Sequence, residues 1–162
     1  MKSHLYYLNK ALDQALIADQ KEEVPIGAII VKDNIILAKA YNQKESKKDP
    51  TAHAELLAIQ KATKKQTPKD WRLDGCLLYT TLEPCPMCAG VILQARIKTV
   101  IYAARDNQWG ADKSKIDCFK KDLFNHNTNT IYIPLKRSTD LLRNFFKKIR
   151  KRNKKQIKTK KL

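Results

Sequence analysis

Residues 77–88 read LLYTTLEPCPMC, a run of strand-forming residues followed directly by the start of a helix. Apolar residues mixed with tyrosine and threonine favour a buried strand over 77–81. Pro86 suits the first position of a helix that extends to about Arg96. Cys85 and Cys88 lie on the first turn of this helix, three residues apart and so on one face. The stretch therefore predicts a sheet covered by a helix whose N-terminus carries two thiols.

The motif His53-Ala54-Glu55 lies near the start of a second predicted helix. This helix begins at Thr51 or Ala52 and ends near residue 64, with Asp49 or Thr51 as its cap. Because both helices follow elements of the sheet, their N-termini can meet at one edge of it. Free N–H groups and the positive end of the helix dipole favour thiolates there, and the thiolate is the form that binds metal.

One imidazole and two thiols form a ligand set that suits zinc. A structural zinc usually has four protein ligands, whereas a catalytic zinc has three and leaves the fourth position for water. His53, Cys85 and Cys88 supply three ligands, and Glu55 is a carboxylate beside them. The sequence therefore predicts one Zn²⁺ per chain in a hydrolytic site, with Glu55 as the catalytic residue.

Two other interpretations of the cysteines remain open at this point. A Cys-x-x-Cys pair after a strand is also typical of redox sites, but that interpretation leaves His53 and Glu55 unexplained. A closed structural zinc would need Cys76 or Cys118, and neither has a partner cysteine at ligand spacing. We expect these two cysteines to be small, partly buried residues.

The rest of the chain alternates between predicted helices and strands. The β-β-α-β-α-β-(β)-α order predicts a three-layer α/β sandwich, with a mixed central sheet covered by helices on both faces. The predicted elements are an amphipathic helix from Leu5 to about Asp19, a hairpin of strands 24–31 and 35–41, a polar loop 42–50, a strand 99–104, a long connection 105–129 and an edge strand 130–133.

Length and composition predict a single domain over residues 1–162, with a basic C-terminal helix and tail from about 138 to 162. The longest apolar runs are far too short to span a bilayer, so no membrane partner is expected. The N-terminus lacks the apolar stretch and cleavage site of a signal peptide. The four cysteines do not form a secreted disulfide pattern. We therefore expect a cytoplasmic protein.

Charge is strongly unbalanced, with 33 Lys and Arg against 16 Asp and Glu, a formal +17. The segment 136–162 alone contains 13 basic residues and one acid, Asp140. Apolar residues at helical spacing within it predict a docked amphipathic helix, namely Leu141, Leu142, Phe145, Phe146 and Ile149. A fixed basic surface attracts nucleic acid, whereas the alternative is a solvated tail. Arg150 and Arg152 are the predicted RNA contacts of this helix.

The residues around the motifs resemble one enzyme family, the tRNA-specific adenosine deaminases. H-x-E followed by P-C-x-x-C is the signature of zinc-dependent nucleobase deaminases. The likeness covers residues 4–110 well and 142–152 more loosely. It includes Val24-Pro25-Ile26-Gly27-Ala28, Asp49-Pro50-Thr51-Ala52-His53-Ala54-Glu55, Thr81-Leu82-Glu83-Pro84-Cys85, Met87-Cys88-Ala89-Gly90 and Ala104-Arg105-Asp106. The chain departs from the family at 107–114, where a Gly/Ala/Ser-rich turn is usual, and near Ser138-Thr139, where a Glu-Cys pair is expected.

The resemblance implies a cytidine-deaminase-like fold, a homodimer, and a tRNA partner whose wobble adenosine becomes inosine. In that reaction Glu55 passes a proton from the activated water to the ring nitrogen and then protonates the departing ammonia. The family also suggests that Asn42 and Asp106 contact the flipped nucleoside. The alternatives are a turn residue for Asn42 and a loop cap for Asp106.

Two rival functions have the same metal ligands. An enzyme for free guanine or cytosine would use the same site but leave the basic tail without a role. A zinc-stabilised RNA-binding module without catalysis would have a closed zinc shell and no use for Glu55.

Overall fold

The computed structural model of the protein describes residues 2–65 and 70–159, with side chains described as far as Lys154. The side chains of the predicted basic tail beyond Lys154 thus lie outside the described residues. In chain order the elements are α1 His4–Gln20, β1 Gly27–Lys32, β2 Ile35–Tyr41, α2 Lys44–Lys47, α3 Ala54–Thr63, β3 Leu77–Thr80, α4 Pro86–Gln94, β4 Thr99–Tyr102, β5 Asn129–Tyr132 and α5 Lys136–Thr159.

The five strands form one mixed sheet in the order β2-β1-β3-β4-β5. β1 runs antiparallel to both β2 and β3, whereas β3, β4 and β5 run parallel to one another. The β1–β2 hairpin closes through Asp33 and Asn34, both at positive φ, which is the backbone that a tight right-twisted hairpin needs. The predicted mixed sheet and the edge position of the last strand are confirmed.

Helices cover both faces of this sheet. Side chains of α3 and α4 pack with one set of strand residues that includes Ile30, Leu78 and Val100. Side chains of α1 pack with the opposite set, in which Ile29 and Ile101 lie. Successive residues of a strand point to opposite faces of the sheet, so a single strand contributes side chains to the hydrophobic cores on both faces. The predicted three-layer sandwich, with helices on both faces of a mixed sheet, is confirmed.

Three local predictions were wrong. The helix that contains Glu55 starts at Ala54 with His53 at its cap position, rather than at 51 or 52. Asp49 caps a turn before it instead, because the Thr51 N–H and hydroxyl both donate to Asp49 Oδ1, at 2.8 and 2.6 Å. The polar stretch 42–50 contains the short helix α2. Sequence spacing located the helix of Glu55 but not its first residue, which depends on backbone geometry, and it did not indicate α2.

The C-terminal helix α5 is only partly docked. Phe145 is buried, but Phe146 remains 43% exposed, so the predicted apolar stripe is narrower than expected. The Ser138 hydroxyl donates to the Thr81 carbonyl at 2.7 Å and anchors the start of α5. Lys148 and Arg152 pair with the acids Asp19 and Glu22 near the end of α1. None of the described helices is long and apolar enough to cross a membrane.

Gly27 sits where helix α1 crosses the start of β1. A Cβ atom there would lie 2.1 Å from the Ala11 carbonyl oxygen and 2.5 Å from the Ala15 nitrogen. Both are backbone atoms of α1, so the helix itself would have to move away. Gly27 also exchanges hydrogen bonds with Thr81, which follows β3. The glycine therefore sets the spacing between α1, β1 and the end of β3.

We predict that Gly27→Ala lowers the free energy of unfolding by about 1–3 kcal/mol or more, because it overpacks a backbone contact. Gly90→Ala is the matched control, since Gly90 lies on helix α4 with no atom within 4 Å of the added Cβ. The control should be about 0.5–1 kcal/mol more stable than the wild type, because alanine favours helix. Urea denaturation of the three proteins measures both effects, and equal stability of the two variants would contradict the packing argument.

Candidate metal centre and active site

The three predicted metal ligands come together at the N-termini of α3 and α4. His53 and Cys85 occupy the cap positions of these two helices, each with an extended backbone. Cys88 lies in the first turn of α4, where Pro86 starts the helix. Because α3 and α4 pack on the same face of the sheet, their first residues face a common space.

The donor atoms of these residues have the spacing of a tetrahedral zinc site. His53 Nδ1 lies 3.6 Å from Cys85 Sγ and 3.5 Å from Cys88 Sγ. Tetrahedral zinc, with bonds of about 2.3 Å to sulfur and about 2.0 Å to nitrogen, separates such atoms by about 3.6 Å. All three donor atoms lie within 4.8 Å of one another, and they form the only such group among the described residues. The cluster can hold a metal ion without rearrangement, and Cys76 and Cys118 lie outside it.

The two thiols of the cluster differ in acidity. The Cys88 thiol, the His53 ring and the Cys88 N–H all interact with Cys85 and together lower its pKa to about 4, against the opposing effect of burial. The hydrogen bond to Cys85, together with burial, raises the pKa of Cys88 well above its usual value. A divalent cation between the two sulfurs removes this difference, because it stabilises thiolate on both.

Glu55 is the second residue of α3 and is buried beside the ligands, with 4% of its surface exposed. Burial raises its pKa to about 7, despite the opposing effect of its own backbone N–H and of His53. A carboxyl group that titrates near neutral pH can both accept and return a proton. Glu55 therefore has the position and the acidity of a general acid–base.

An open pocket of about 410 Å³ is lined by Glu55 together with His53 and Cys85. Its walls come from three parts of the chain: the segment around α2, the turn into α4, and the long connection after β4. The lining residues are Ile26, Lys44, Pro50, His53, Glu55, Leu82, Glu83, Cys85, Pro86, Met87, Asp106 and Trp109. The lining surface is mostly apolar, as in pockets that bind organic ligands. Its polar groups lie both at the metal cluster and on the walls around it, where Lys44, Glu83 and Asp106 are.

Buried Glu83 holds one wall of this pocket, a role that the sequence analysis did not predict. The N–H groups of Asp106 and Asp112 donate to its two carboxylate oxygens, at 3.0 and 2.8 Å, and the Ser114 hydroxyl also donates to it. A Cβ at Gly110 would lie 2.5 Å from the carboxylate. The loop 105–114 is thus packed closely around Glu83. An acid inside the apolar run before Cys85 was the available signal.

A second buried acid, Glu23, holds the wall on the α2 side. It accepts hydrogen bonds from the Asn42 side-chain amide at 3.1 Å and from the Ser46 and Glu45 N–H groups at 2.7 and 3.2 Å. Burial disfavours the charged form of Glu23, but the hydrogen bonds from Ser46 and Glu45 and the nearby charge of Lys44 outweigh it and lower the pKa of Glu23 below its ordinary value. The role of Glu23 was not predicted from the sequence either.

The predicted substrate-binding residues occupy different positions. Asp106 lines the pocket, and its Oδ1 accepts the Gln108 and Trp109 N–H groups at 2.9 and 3.1 Å, as a loop cap does. Asn42 is 2% exposed, is absent from the pocket lining and donates to Glu23. Arg150 and Arg152 lie on the exposed side of α5, where Arg152 pairs with Glu22 at 2.7 Å. Their contacts with a substrate stay predictions.

The chain matches known deaminases over most of its length. The family model of the MafB19-like deaminases matches residues 2–150. The tRNA-specific adenosine deaminase of Aquifex aeolicus is 46% identical over 145 residues, which are 90% of this chain and 95% of that protein.

Solved structures of related enzymes have the same fold. One is a tRNA:A34 deaminase studied for A-to-I editing at the wobble position of transfer RNA. It is 35% identical, with a TM-score of 0.79 over 86% of this chain and 100% of the other. Another is a guanine deaminase from Bacillus subtilis, 34% identical, with a TM-score of 0.61 over 90% of this chain and 95% of the other. With the signature residues and the fold in agreement with these likenesses, the chain belongs to the tRNA-specific adenosine deaminase family, within the MafB19-like deaminases.

Proposed function

We propose that this protein is a zinc-dependent hydrolase that converts adenosine to inosine at the wobble position of a tRNA anticodon. One observation carries the proposal. The buried Glu55 carboxyl lines the same open pocket as His53 and Cys85, two of the three residues of the candidate metal cluster. Relatives named tRNA-specific adenosine deaminase, one of them 46% identical, support adenosine in tRNA as the substrate.

His53, Cys85 and Cys88 would hold one zinc per chain, leaving a coordination position for solvent. Bound zinc supplies the Lewis acidity that makes a water molecule nucleophilic near neutral pH. The 3.5 and 3.6 Å distances between the His53 nitrogen and the two sulfurs support this ion. Closure by a fourth cysteine is disfavoured, because Cys76 and Cys118 lie outside the cluster.

Glu55 carries the protons of the reaction. Its carboxylate takes a proton from the attacking water and gives it to the ring nitrogen beside the amino-bearing carbon. A second proton, from the new hydroxyl group, then passes through Glu55 to the departing amine. The carbon–nitrogen bond breaks, ammonia leaves, and the carbonyl of inosine remains. One carboxyl group suffices because it passes on each proton before it accepts the next.

A base can enter this pocket only if it leaves its stack. Unstacking is less costly in a single-stranded loop than in a duplex, which agrees with an anticodon as the target. The exposed basic residues of α5 supply positive charge for the surrounding phosphates. Under this proposal tRNA is the partner, and Asp106, Asn42, Arg150 and Arg152 are the substrate-binding residues. Asn42 would act indirectly, because its hydrogen bond to Glu23 helps to hold the α2 side of the pocket in place.

We also propose a domain organisation, an assembly and a cellular location for this protein. Residues 1–162 form a single deaminase domain, with α5 and the residues after it as its basic extension. The family resemblance supports a homodimer, which sedimentation equilibrium of the purified protein would test. A substrate in tRNA and the absence of a membrane-spanning segment among the described helices support a cytoplasmic location.

A second candidate function is deamination of free guanine or cytosine. The 34% identity to a guanine deaminase structure is the observation that favours it. Incubating the purified protein with total tRNA, and separately with free bases, distinguishes the two. We expect adenosine-to-inosine changes at wobble positions when the tRNA is sequenced, and no release of ammonia from guanine or cytosine. The opposite pattern would overturn the proposal in favour of the free base.

We predict that Glu55→Gln lowers turnover by about a hundred- to ten-thousand-fold, the usual contribution of a general acid–base. The amide keeps the shape of the side chain but cannot carry the proton. Metal content, measured by mass spectrometry, and tRNA affinity should remain those of the wild type. Glu45→Gln is the control, because Glu45 is an exposed acid on α2 and should retain full activity. Normal turnover of Glu55→Gln would remove Glu55 from the mechanism.

We predict that neutralising Lys147, Arg150 and Lys151 to glutamine together weakens tRNA binding and flattens its salt dependence. Each lost phosphate contact lowers the slope of log K against log salt by about 0.7 to 0.9. These three side chains are exposed on α5, whereas Lys148 and Arg152 are left intact because they pair with α1.

The control for this experiment replaces three lysines towards the other end of α3 from Glu55 with glutamine, namely Lys61, Lys64 and Lys65. At about 1.5 Å of rise per residue, Lys61 lies about 9 Å and Lys65 about 15 Å along the helix axis from Glu55. Lys61 and Lys65 donate to the Lys39 and Leu37 carbonyls of β2, so an unchanged melting temperature is needed to show that the control stays folded. The control removes the same charge but should leave the salt slope nearly unchanged. Equal slopes for the α5 variant, the control and the wild type would mean that α5 does not hold RNA.

A further inference from the structure

Trp109 is a large apolar side chain that folding leaves in solvent. It is 66% exposed, yet it lines the same pocket as Glu55 and His53. Exposure of a single tryptophan does not by itself indicate a ligand, but this one also lines the pocket that contains the candidate active-site residues. It lies in the loop 107–114, where the sequence departs from the Gly/Ala/Ser-rich turn of the family.

The backbone beneath this side chain is firmly held. The Trp109 N–H donates to Asp106 Oδ1 at 3.1 Å, and the Gly110 N–H donates to the Asp106 carbonyl at 2.8 Å. Glu83 fixes the same loop from inside the protein, through the Asp106 and Asp112 N–H groups. The backbone that carries the indole is therefore already held in one arrangement, so little backbone has to be ordered when a ligand contacts the side chain.

The chemistry around the indole fits an unstacked base. The pocket beside it is mostly apolar, and Lys44 adds a positive charge to its lining. When the reacting base leaves the stack of an RNA loop, the neighbouring base loses one stacking partner. Aromatic side chains commonly replace that partner in proteins that bind single strands.

We propose that Trp109 is a stacking platform for the nucleotide next to the reacting adenosine. This inference rests on the proposed function and adds to it a subsite at the edge of the pocket. The platform would hold the RNA loop in its opened form, so Trp109 contributes to substrate binding, while the proton transfers remain with Glu55.

The test compares Trp109→Ala with Trp71→Ala on a synthetic anticodon stem–loop RNA that carries a wobble adenosine. Trp71 is a matched control, because it is 56% exposed and does not belong to the pocket lining. We expect Trp109→Ala to raise KM by about 5- to 150-fold, the range for loss of one base–aromatic stack. Its kcat at saturation, metal content and melting temperature should stay near the wild-type values. Trp109→Phe should recover most of the loss.

An abasic nucleotide identifies what stacks on the indole. Placing it on one side of the wobble adenosine should weaken wild-type binding, and Trp109→Ala should then cause no further loss on that RNA. If the effect of Trp109→Ala is undiminished with an abasic site on either side, the neighbouring base is not the partner and the inference is wrong. Equal KM values for Trp109→Ala and Trp71→Ala would overturn it as well.

Fluorescence separates this inference from the proposed function. The chain has 2 tryptophans, so the emission of Trp71→Phe comes from Trp109 alone. Stacking should quench that emission as the stem–loop RNA is added, and unchanged emission upon RNA binding would contradict the subsite. Failure of the wild type to form inosine in the same RNA would instead contradict the proposed function.

Discussion

The structure depends on the meeting of two helix N-termini at one edge of the sheet. His53 and Cys85 cap α3 and α4, so the backbone turn that starts each helix also places a metal-binding atom. The distances from His53 Nδ1 to both sulfurs already match those of a tetrahedral zinc. Glu55 follows His53 by two residues, so the same first turn buries its carboxyl group beside the three candidate ligands. A shift of either helix relative to the other would separate these side chains.

Two buried carboxylates give the pocket its walls. Glu83 accepts hydrogen bonds from the loop that carries Asp106 and Trp109, and Glu23 accepts them from the segment around α2. An unpaired buried charge is very costly, so each acid requires its loop to supply several donors in one arrangement. The hydrogen bonds to these two acids therefore hold both segments in one arrangement. The loop after β4 is held in this way although it has no regular secondary structure. The rigidity suits a site that has to hold a flipped base.

Much of this arrangement was predictable from the sequence, because periodicity and ligand spacing are local signals. The mixed sheet, its covering helices and the grouping of His53 with the two cysteines all followed from them. Helix ends were less predictable: His53 is a cap residue, which depends on backbone angles rather than residue type. The roles of Glu23 and Glu83 were not predicted, because most of their donors are backbone groups 20 to 30 residues away that only the tertiary fold brings near. The exposure of Phe146 likewise reflects how little of α5 the sheet can cover.

Anomalous diffraction at the zinc absorption edge, from crystals of the protein purified without added metal, tests the central claim most directly. We predict a single strong anomalous peak per chain, within bonding distance of His53 Nδ1, Cys85 Sγ and Cys88 Sγ. The fourth neighbour of that peak should be solvent, with the Glu55 carboxyl within hydrogen-bond reach of it. A peak bonded to Cys76 or Cys118, a shell closed by four protein ligands, or a fully formed site without any zinc would contradict it.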